Sequence, residues 1–209
     1  FHIHTKWSTD SLAAPRDVIK VALMRGLGAI AVTDHNEIEG AKEVANEVRR
    51  MGLELKVILG EEVKTVQGDI IGLFLSEKIP KGLSADETVD EIKEQGGLVV
   101  VPHPFDRRMR GAMRENVEKI LGRIDFLEVV NGRTPSWNNR RAMEFALRHG
   151  IPQLGGSDAH WPPEVGKVRT LVAELEDGRV EPMRIEWRRW PPIILGEVYS
   201  SIARLYRML

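Results

Sequence analysis

The sequence predicts an α/β fold with a largely parallel sheet, and three observations carry that reading. Short apolar runs alternate with helix-period stretches, the length of 209 residues suits one domain with its own core, and no internal repeat or low-complexity segment interrupts the pattern. Such alternation fits an open sheet as well as a closed α/β barrel. Taken in order, Ala29-Ile30-Ala31-Val32 reads as a buried strand, and helical periodicity follows from Ile38 to Arg50. Leu55 to Leu59 and Ile70 to Phe74 read as the next two strands. Ser84 to Gln95 reads as a capped helix, with Ser84 at the N-cap, Glu87 three residues on, and Gly96-Gly97 as the stop. Leu98-Val99-Val100-Val101 is a β-branched strand that ends at Pro102. Helical segments at Glu115–Leu121 and Asn138–His149 flank a strand at Phe126–Val130. Gly150 stops the second of them, and Ile151-Pro152-Gln153-Leu154 leads into Gly155-Gly156.

Composition narrows the function classes. Only 6% of residues are aromatic, so the core is aliphatic, and a net charge of −1 points to neither a nucleic-acid binder nor a polybasic membrane protein. No apolar run reaches the roughly 18 residues of a membrane span, and the chain does not open on a basic-then-apolar leader. Cysteine is absent, which excludes disulfides and thiolate metal sites and makes a cytoplasmic address the expectation. Charged residues at 29%, with few Asn and Gln, lean toward a heat-adapted protein.

The last thirty residues differ in character. A boundary is expected near residue 180, with a main domain over 1–180 and a tail over 181–209. Glu181 to Trp190 is rich in Arg and Trp, and Pro191-Pro192 breaks it. Ile194 to Leu209 reads as an amphipathic helix with Leu195, Val198, Ile202, Leu205 and Leu209 near one face. That face is expected to pack on the domain, the alternative being a partner or a homo-oligomer contact.

Histidines carry the chemistry. His2, His4, His35, His103 and His160 lie at ends of predicted strands, whereas His149 sits at a helix C-terminus, where it meets the dipole favourably and reads as structural. His2-Ile3-His4 places two imidazoles on one face of an extended segment, with Ile3 turned into the core. Asp158-Ala159-His160 repeats that spacing with a carboxylate. Thr33-Asp34-His35, Gly60-Glu61-Glu62 and Pro102-His103-Pro104 end other strands. Any one of these is explained by a satisfied core histidine or a surface carboxylate. The set is what a metal site at the mouth of a parallel α/β fold requires.

The order His2-x-His4, Asp10, Asp34-His35, Gly60-x-Glu62, Pro102-His103-Pro104 and Ser157-Asp158-x-His160 closely resembles the PHP (polymerase and histidinol phosphatase) superfamily, over residues 1 to about 160. The resemblance implies a distorted seven-stranded (β/α)7 barrel with a C-terminal tail, a centre of two or three divalent metal ions, and phosphoester hydrolysis. It places His2, His4, Glu62 and Asp158 on a first metal, and Glu62 as a bridge to a second that His103 also binds. Asp10, His35 and His160 fall on a third. Glu62 rather than Glu61 fits the family pattern, since Val63-Lys64-Thr65 follows it. In two respects the chain departs from that pattern. Family members often begin Asp-x-His-x-His, and this sequence starts at Phe1. Family members also often carry histidine where Asp69 stands, and aspartate is a harder donor.

Imidazole and carboxylate donors without thiolate favour Zn, Mn or Fe. Two ions bridged by a carboxylate lower the pKa of a shared water toward neutrality and clamp phosphoryl oxygens. On this reading Glu62, His103 and Asp158 are the catalytic residues. Arg107 and Arg133 on the rim are candidate substrate contacts, with Arg108 and Arg110 beside them, because arginine forks match phosphate oxygens. Asp34 orients a ligand rather than binding metal. The expected substrate is a small phosphorylated metabolite, nucleotide or short oligonucleotide. The alternatives are a non-catalytic metal-binding regulatory domain and an amidohydrolase-like metal hydrolase, whose bridging ligand is often a lysine.

Overall fold

The computed structural model describes residues 1–106, 108, 111–176 and 178–187. The segments expected as strands lie side by side in one six-stranded sheet of order β1-β2-β3-β4-β5-β6. They are β1 (Ala29–His35), β2 (Lys56–Lys64), β3 (Asp69–Leu73), β4 (Leu98–Val101), β5 (Phe126–Asn131) and β6 (Gln153–Gly156). Neighbours run parallel except at β3, which is antiparallel to both β2 and β4. The short link from Lys64 to Asp69 holds no crossover helix, so β2 and β3 form a hairpin and β3 enters from the mouth. β2 runs past Leu59, and the Gly60-Glu61-Glu62 segment lies inside it.

The sheet curls. Ile3 pairs in parallel with Val32 of β1 and with Ala159 just beyond β6, so the N-terminal segment bridges the two edges. Backbone bonds from Thr33 N to Ile3 O and from His4 N to Ala159 O, both 2.8 Å, hold it there. Among the described residues the main sheet has six strands, with this bridging segment beside them, where the resemblance implied a distorted seven-stranded barrel.

Helices α1 (Pro15–Met24), α2 (Glu39–Arg50), α3 (Ala85–Glu94) and α4 (Ser136–His149) cover the outside. The capping box is formed: Ser84 accepts from Glu87 N, and Glu87 accepts from Ser84 N. Gly150 caps α4 in the left-handed conformation, φ 65°. His149 packs its ring on Phe145, 4.3 Å between centroids, as a structural residue would. The helix expected near Glu115 is 3-10 in form over Arg114–Arg123.

α1 was not legible as a helix: its N-cap is Ala14, without a capping side chain, and Pro15 opens it. Nor was the hairpin of β7 (Val168–Glu176) and β8 (Arg179–Trp187). Its residues alternate between half-buried and exposed, and Pro182 sits where the register shifts, a place in a sheet that tolerates a residue with no N–H. β8 runs through residue 180, and the amphipathic segment from Ile194 lies outside the described residues. Among those described, no helix is long and apolar enough to cross a membrane.

Candidate metal centre

Because β1, β2, β4, β5 and β6 share a direction, their C-terminal ends open on one mouth, and reversed β3 brings its first residue there. His35 ends β1, Glu62 lies near the end of β2, Asp69 starts β3, His103 follows β4, and Asp158 and His160 follow β6. Ile3 is buried in the core with Val18, Ile19 and Val44, and His2 and His4 point the other way into the mouth. The alternation expected of His2-Ile3-His4 holds. His2, His103 and Asp158 all have positive φ (63°, 29° and 50°), so backbone strain collects at this site.

Glu62 is the hub. Its Oε2 lies 2.9 Å from His35 Nδ1 and 3.4 Å from both His2 Nε2 and His4 Nε2, while Oε1 lies 3.0 Å from His103 Nε2. Asp158 Oδ1 lies 3.5 Å from His2 Nε2 and 3.4 Å from His4 Nε2. Asp10 meets His160 at 3.2 Å and His35 at 3.6 Å. Asp69 groups with Glu62 and His103, their donor atoms within 4.8 Å of one another, and His4, His35 and His160 form a similar group. Every candidate ligand named from sequence is therefore in this cluster.

The backs of the imidazoles are held by partners the sequence hid. Glu128 Oε1 accepts from His2 Nδ1 at 2.9 Å, and Oε2 accepts from His103 N and from Asn131 Nδ2, both at 2.9 Å. Its only sequence signal was a carboxylate inside the apolar run Phe126–Val130. Behind His4, Ser8 Oγ donates to Asp34 Oδ1 at 2.6 Å and so accepts from His4 Nδ1 at 3.0 Å. Thr5 N and Oγ1 donate to the same Asp34 carboxylate. Asp34 thus reaches His4 through Ser8. With protons fixed on both Nδ1 atoms, His2 and His4 turn Nε2 lone pairs inward.

Each of those two nitrogens lies 3.4–3.5 Å from both Glu62 Oε2 and Asp158 Oδ1, lone-pair donor against lone-pair donor. Tetrahedral ligands about 2.1 Å from an ion lie about 3.4 Å apart. His4 Nε2 is buried without a hydrogen-bond partner among the described residues, and the donor set fits a divalent cation. Without an ion, protons substitute. Burial opposes charge on His2, yet Glu128, Asp158 and Glu62 hold its pKa well above the ordinary value. Burial and the neighbouring His160 and His35 push His4 down to about 3. Burial raises Glu62 and Asp158, but the surrounding imidazoles outweigh it and hold both well below the carboxylate range.

Glu61 faces away from the mouth, as alternation requires, but it is fully buried and accepts from Ile79 N at 2.9 Å. Arg133 is buried beside the mouth, with NH1 3.7 Å from Glu164 Oε2. Arg108 donates to Asp106 and to Arg133 O. Arg107 and Arg110 lie outside the described residues.

The family model for the PHP domain matches residues 1–128, more than half the chain, and the model for the PHP-associated region matches residues 136–179. The chain belongs to the PHP family. This PHP chain is 47% identical over 114 residues to an uncharacterised protein of Methanocaldococcus jannaschii, covering 50% of this chain and 66% of the relative. Its fold is similar to a two-domain Bacteroides vulgatus protein described as containing a predicted PHP-like metal-dependent phosphoesterase. That likeness has TM-score 0.65 and 23% identity over 78% of this chain and 51% of the other. A Chromobacterium violaceum amidohydrolase, solved with sulfate and without metal, superposes with TM-score 0.63 and 18% identity over 97% of this chain and 95% of the other. The PHP chain therefore spans just under two thirds of the first relative and about half of the two-domain protein. Family membership implies divalent metal ions, and the described residues include four histidine and carboxylate groups that could hold one.

Proposed function

We propose that this PHP chain hydrolyses phosphoesters with two or three divalent ions, Zn, Mn or Fe, held by His2, His4, Asp10, His35, Glu62, Asp69, His103, Asp158 and His160. The observation that carries the reading is the carboxylate hub: Glu62 reaches four imidazoles, where amidohydrolase-like sites often use a lysine. The N-terminal segment takes the place of the seventh strand in this reading, supported by its bridges to both sheet edges.

Bound divalent ions supply Lewis acidity for the phosphoryl oxygens and lower the pKa of water near neutrality. The chain's own residues do the positioning. Glu62 presents one oxygen to the His2 and His4 side and the other to His103. Asp158 closes the first pocket, and Glu128 and Ser8 fix the tautomers of His2 and His4. Arg133, buried beside the mouth, and Arg107 serve the substrate's phosphate. The substrate class is a small phosphorylated metabolite, nucleotide or short oligonucleotide, and the compartment is the cytoplasm.

The amidohydrolase reading is the second one, favoured by the fold likeness to the Chromobacterium protein. A panel of phosphomonoesters, dinucleotides, short oligonucleotides and amides, assayed with Mn²⁺ or Zn²⁺ and after chelation, separates the two. Phosphate release that needs metal is expected. Amide cleavage without phosphate release, or no turnover at full metal loading, overturns the proposal.

A further inference from the structure

We propose that the metal centre is chemically divided. The pocket of His2, His4, Glu62 and Asp158 takes a tightly held zinc ion, and the pocket of Glu62, Asp69 and His103 takes a harder, exchangeable ion, Mn²⁺ or Mg²⁺. The inference rests on the metal-centre part of the function proposed above and not on the reaction.

The donor sets differ first. The zinc pocket sets two imidazole nitrogens 3.4–3.5 Å from each of two carboxylate oxygens, a mixed nitrogen and oxygen donor set of the kind zinc takes. The second pocket offers two carboxylates and one imidazole, a set that suits oxygen-preferring ions. Asp69 is short, and its placement is imposed. Its N donates to Gly111 O at 2.6 Å, and a Cβ on Gly111 would lie 1.3 Å from Asp69 Oδ2. The carboxylate rests directly on that glycine, and its donor atom stays grouped with Glu62 and His103.

The backing of the imidazoles differs too. His2 Nδ1 is held by Glu128 and His4 Nδ1 by Ser8. His103 Nε2 faces Glu62, while its Nδ1 is buried without a hydrogen-bond partner among the described residues. Losing such a partner behind a ligating histidine typically costs 10–100-fold in metal affinity. Hard donors and an unbacked imidazole both make the second ion the exchangeable one.

The test uses the full chain, stripped of metal, loaded with zinc and dialysed, then titrated with Mn²⁺ while electron paramagnetic resonance follows free Mn²⁺. Zinc is counted by elemental analysis. The wild type is expected to keep zinc in the pocket of His2, His4, Glu62 and Asp158 and to take up one further Mn²⁺ per chain. Asp69→Asn should weaken that Mn²⁺ uptake at least tenfold with zinc retained, and Asp69→His should retain an additional zinc in its place. Should the histidine variant not fold, the asparagine variant decides alone. Unchanged Mn²⁺ uptake in Asp69→Asn overturns the proposal, as does a wild type that fills the second pocket with zinc resistant to dialysis. These counts stand whether or not any phosphoester is turned over, so failure of the reaction and failure of the division are distinguishable.

Discussion

Glu62 and Glu61 are adjacent in β2 and chemically opposite. Glu62 turns into a cluster of imidazoles, so replacing it with glutamine removes the one anion that faces both proposed ions. Metal content should fall by at least one ion per chain, and turnover by about 10³-fold, the scale of losing a major electrostatic element. Glu61 turns outward, where burial pushes its carboxyl up to about 7, only partly opposed by the Ile79 N–H and Lys78. Its folded pKa lies above the ordinary glutamate value of 4.5, so the folded chain keeps a proton that the unfolded chain has already released. Stability therefore falls as pH rises from about 4.5 to 7 and stays reduced above that window. Glu61→Gln should leave metal content and turnover nearly unchanged, raise stability at pH 8 by up to about 3 kcal/mol, read as a higher Tm, and match the wild type near pH 4. Elemental analysis, phosphate release and thermal unfolding at both pH values check the pair. Metal loss in the Glu61 variant, or none in the Glu62 variant, contradicts these roles.

At the scale of elements, the sequence announces ends and periods better than directions. The capping box at Ser84 and Glu87 is local chemistry and was legible. Ser84→Ala should cost about 1 kcal/mol, read as a lower denaturation midpoint with an unchanged slope. The His-x-His and Asp-x-His spacings were legible because alternation alone puts both donors on one face. The reversal of β3 was not, since an apolar run carries no direction. Asp69 therefore begins its strand, where His35 ends β1, Glu62 lies near the end of β2, and His103, Asp158 and His160 follow β4 and β6. Glu128 was missed because its meaning lies in contacts made far along the chain, with His2 and His103. Gly156 is what admits it: a Cβ there would lie 2.1 Å from Glu128 Oε1 and 2.7 Å from His2 Cβ. Gly156→Ala must displace one or the other. A fall of 10–100-fold in zinc affinity by calorimetry is expected, and an unchanged affinity would show that Glu128 does not set the orientation of His2.

For the whole molecule, the proposed ions act as a clasp. Their ligands come from the N-terminal segment, from β1, β2 and β3, and from the loops after β4 and β6, so the centre joins both edges of the curled sheet. In the metal-free protein that junction packs inward-facing lone pairs and carboxylates together, and it is held by protons on the buried imidazoles. Ions bind the folded arrangement and not the dispersed ligands of the unfolded chain, so each stabilises by mass action, about 2.7 kcal/mol at a hundredfold excess over its Kd. Burial keeps His4 neutral, with a pKa of about 3, whereas the carboxylates around His103 raise it to about 9. His103 is thus protonated at neutral pH in the metal-free fold and must release that proton to ligate. Chelation should lower the Tm by several degrees and re-addition of Zn²⁺ or Mn²⁺ should restore it, with protons released on rebinding at pH 7. The restoration should steepen as pH rises toward 9, where the competing proton on His103 is lost. Thermal unfolding with and without chelator, alongside calorimetry in buffers of different ionisation enthalpy, measures both effects. A Tm indifferent to chelation, with no protons released on adding metal, would mean that these histidines and carboxylates hold the curled sheet together without ions.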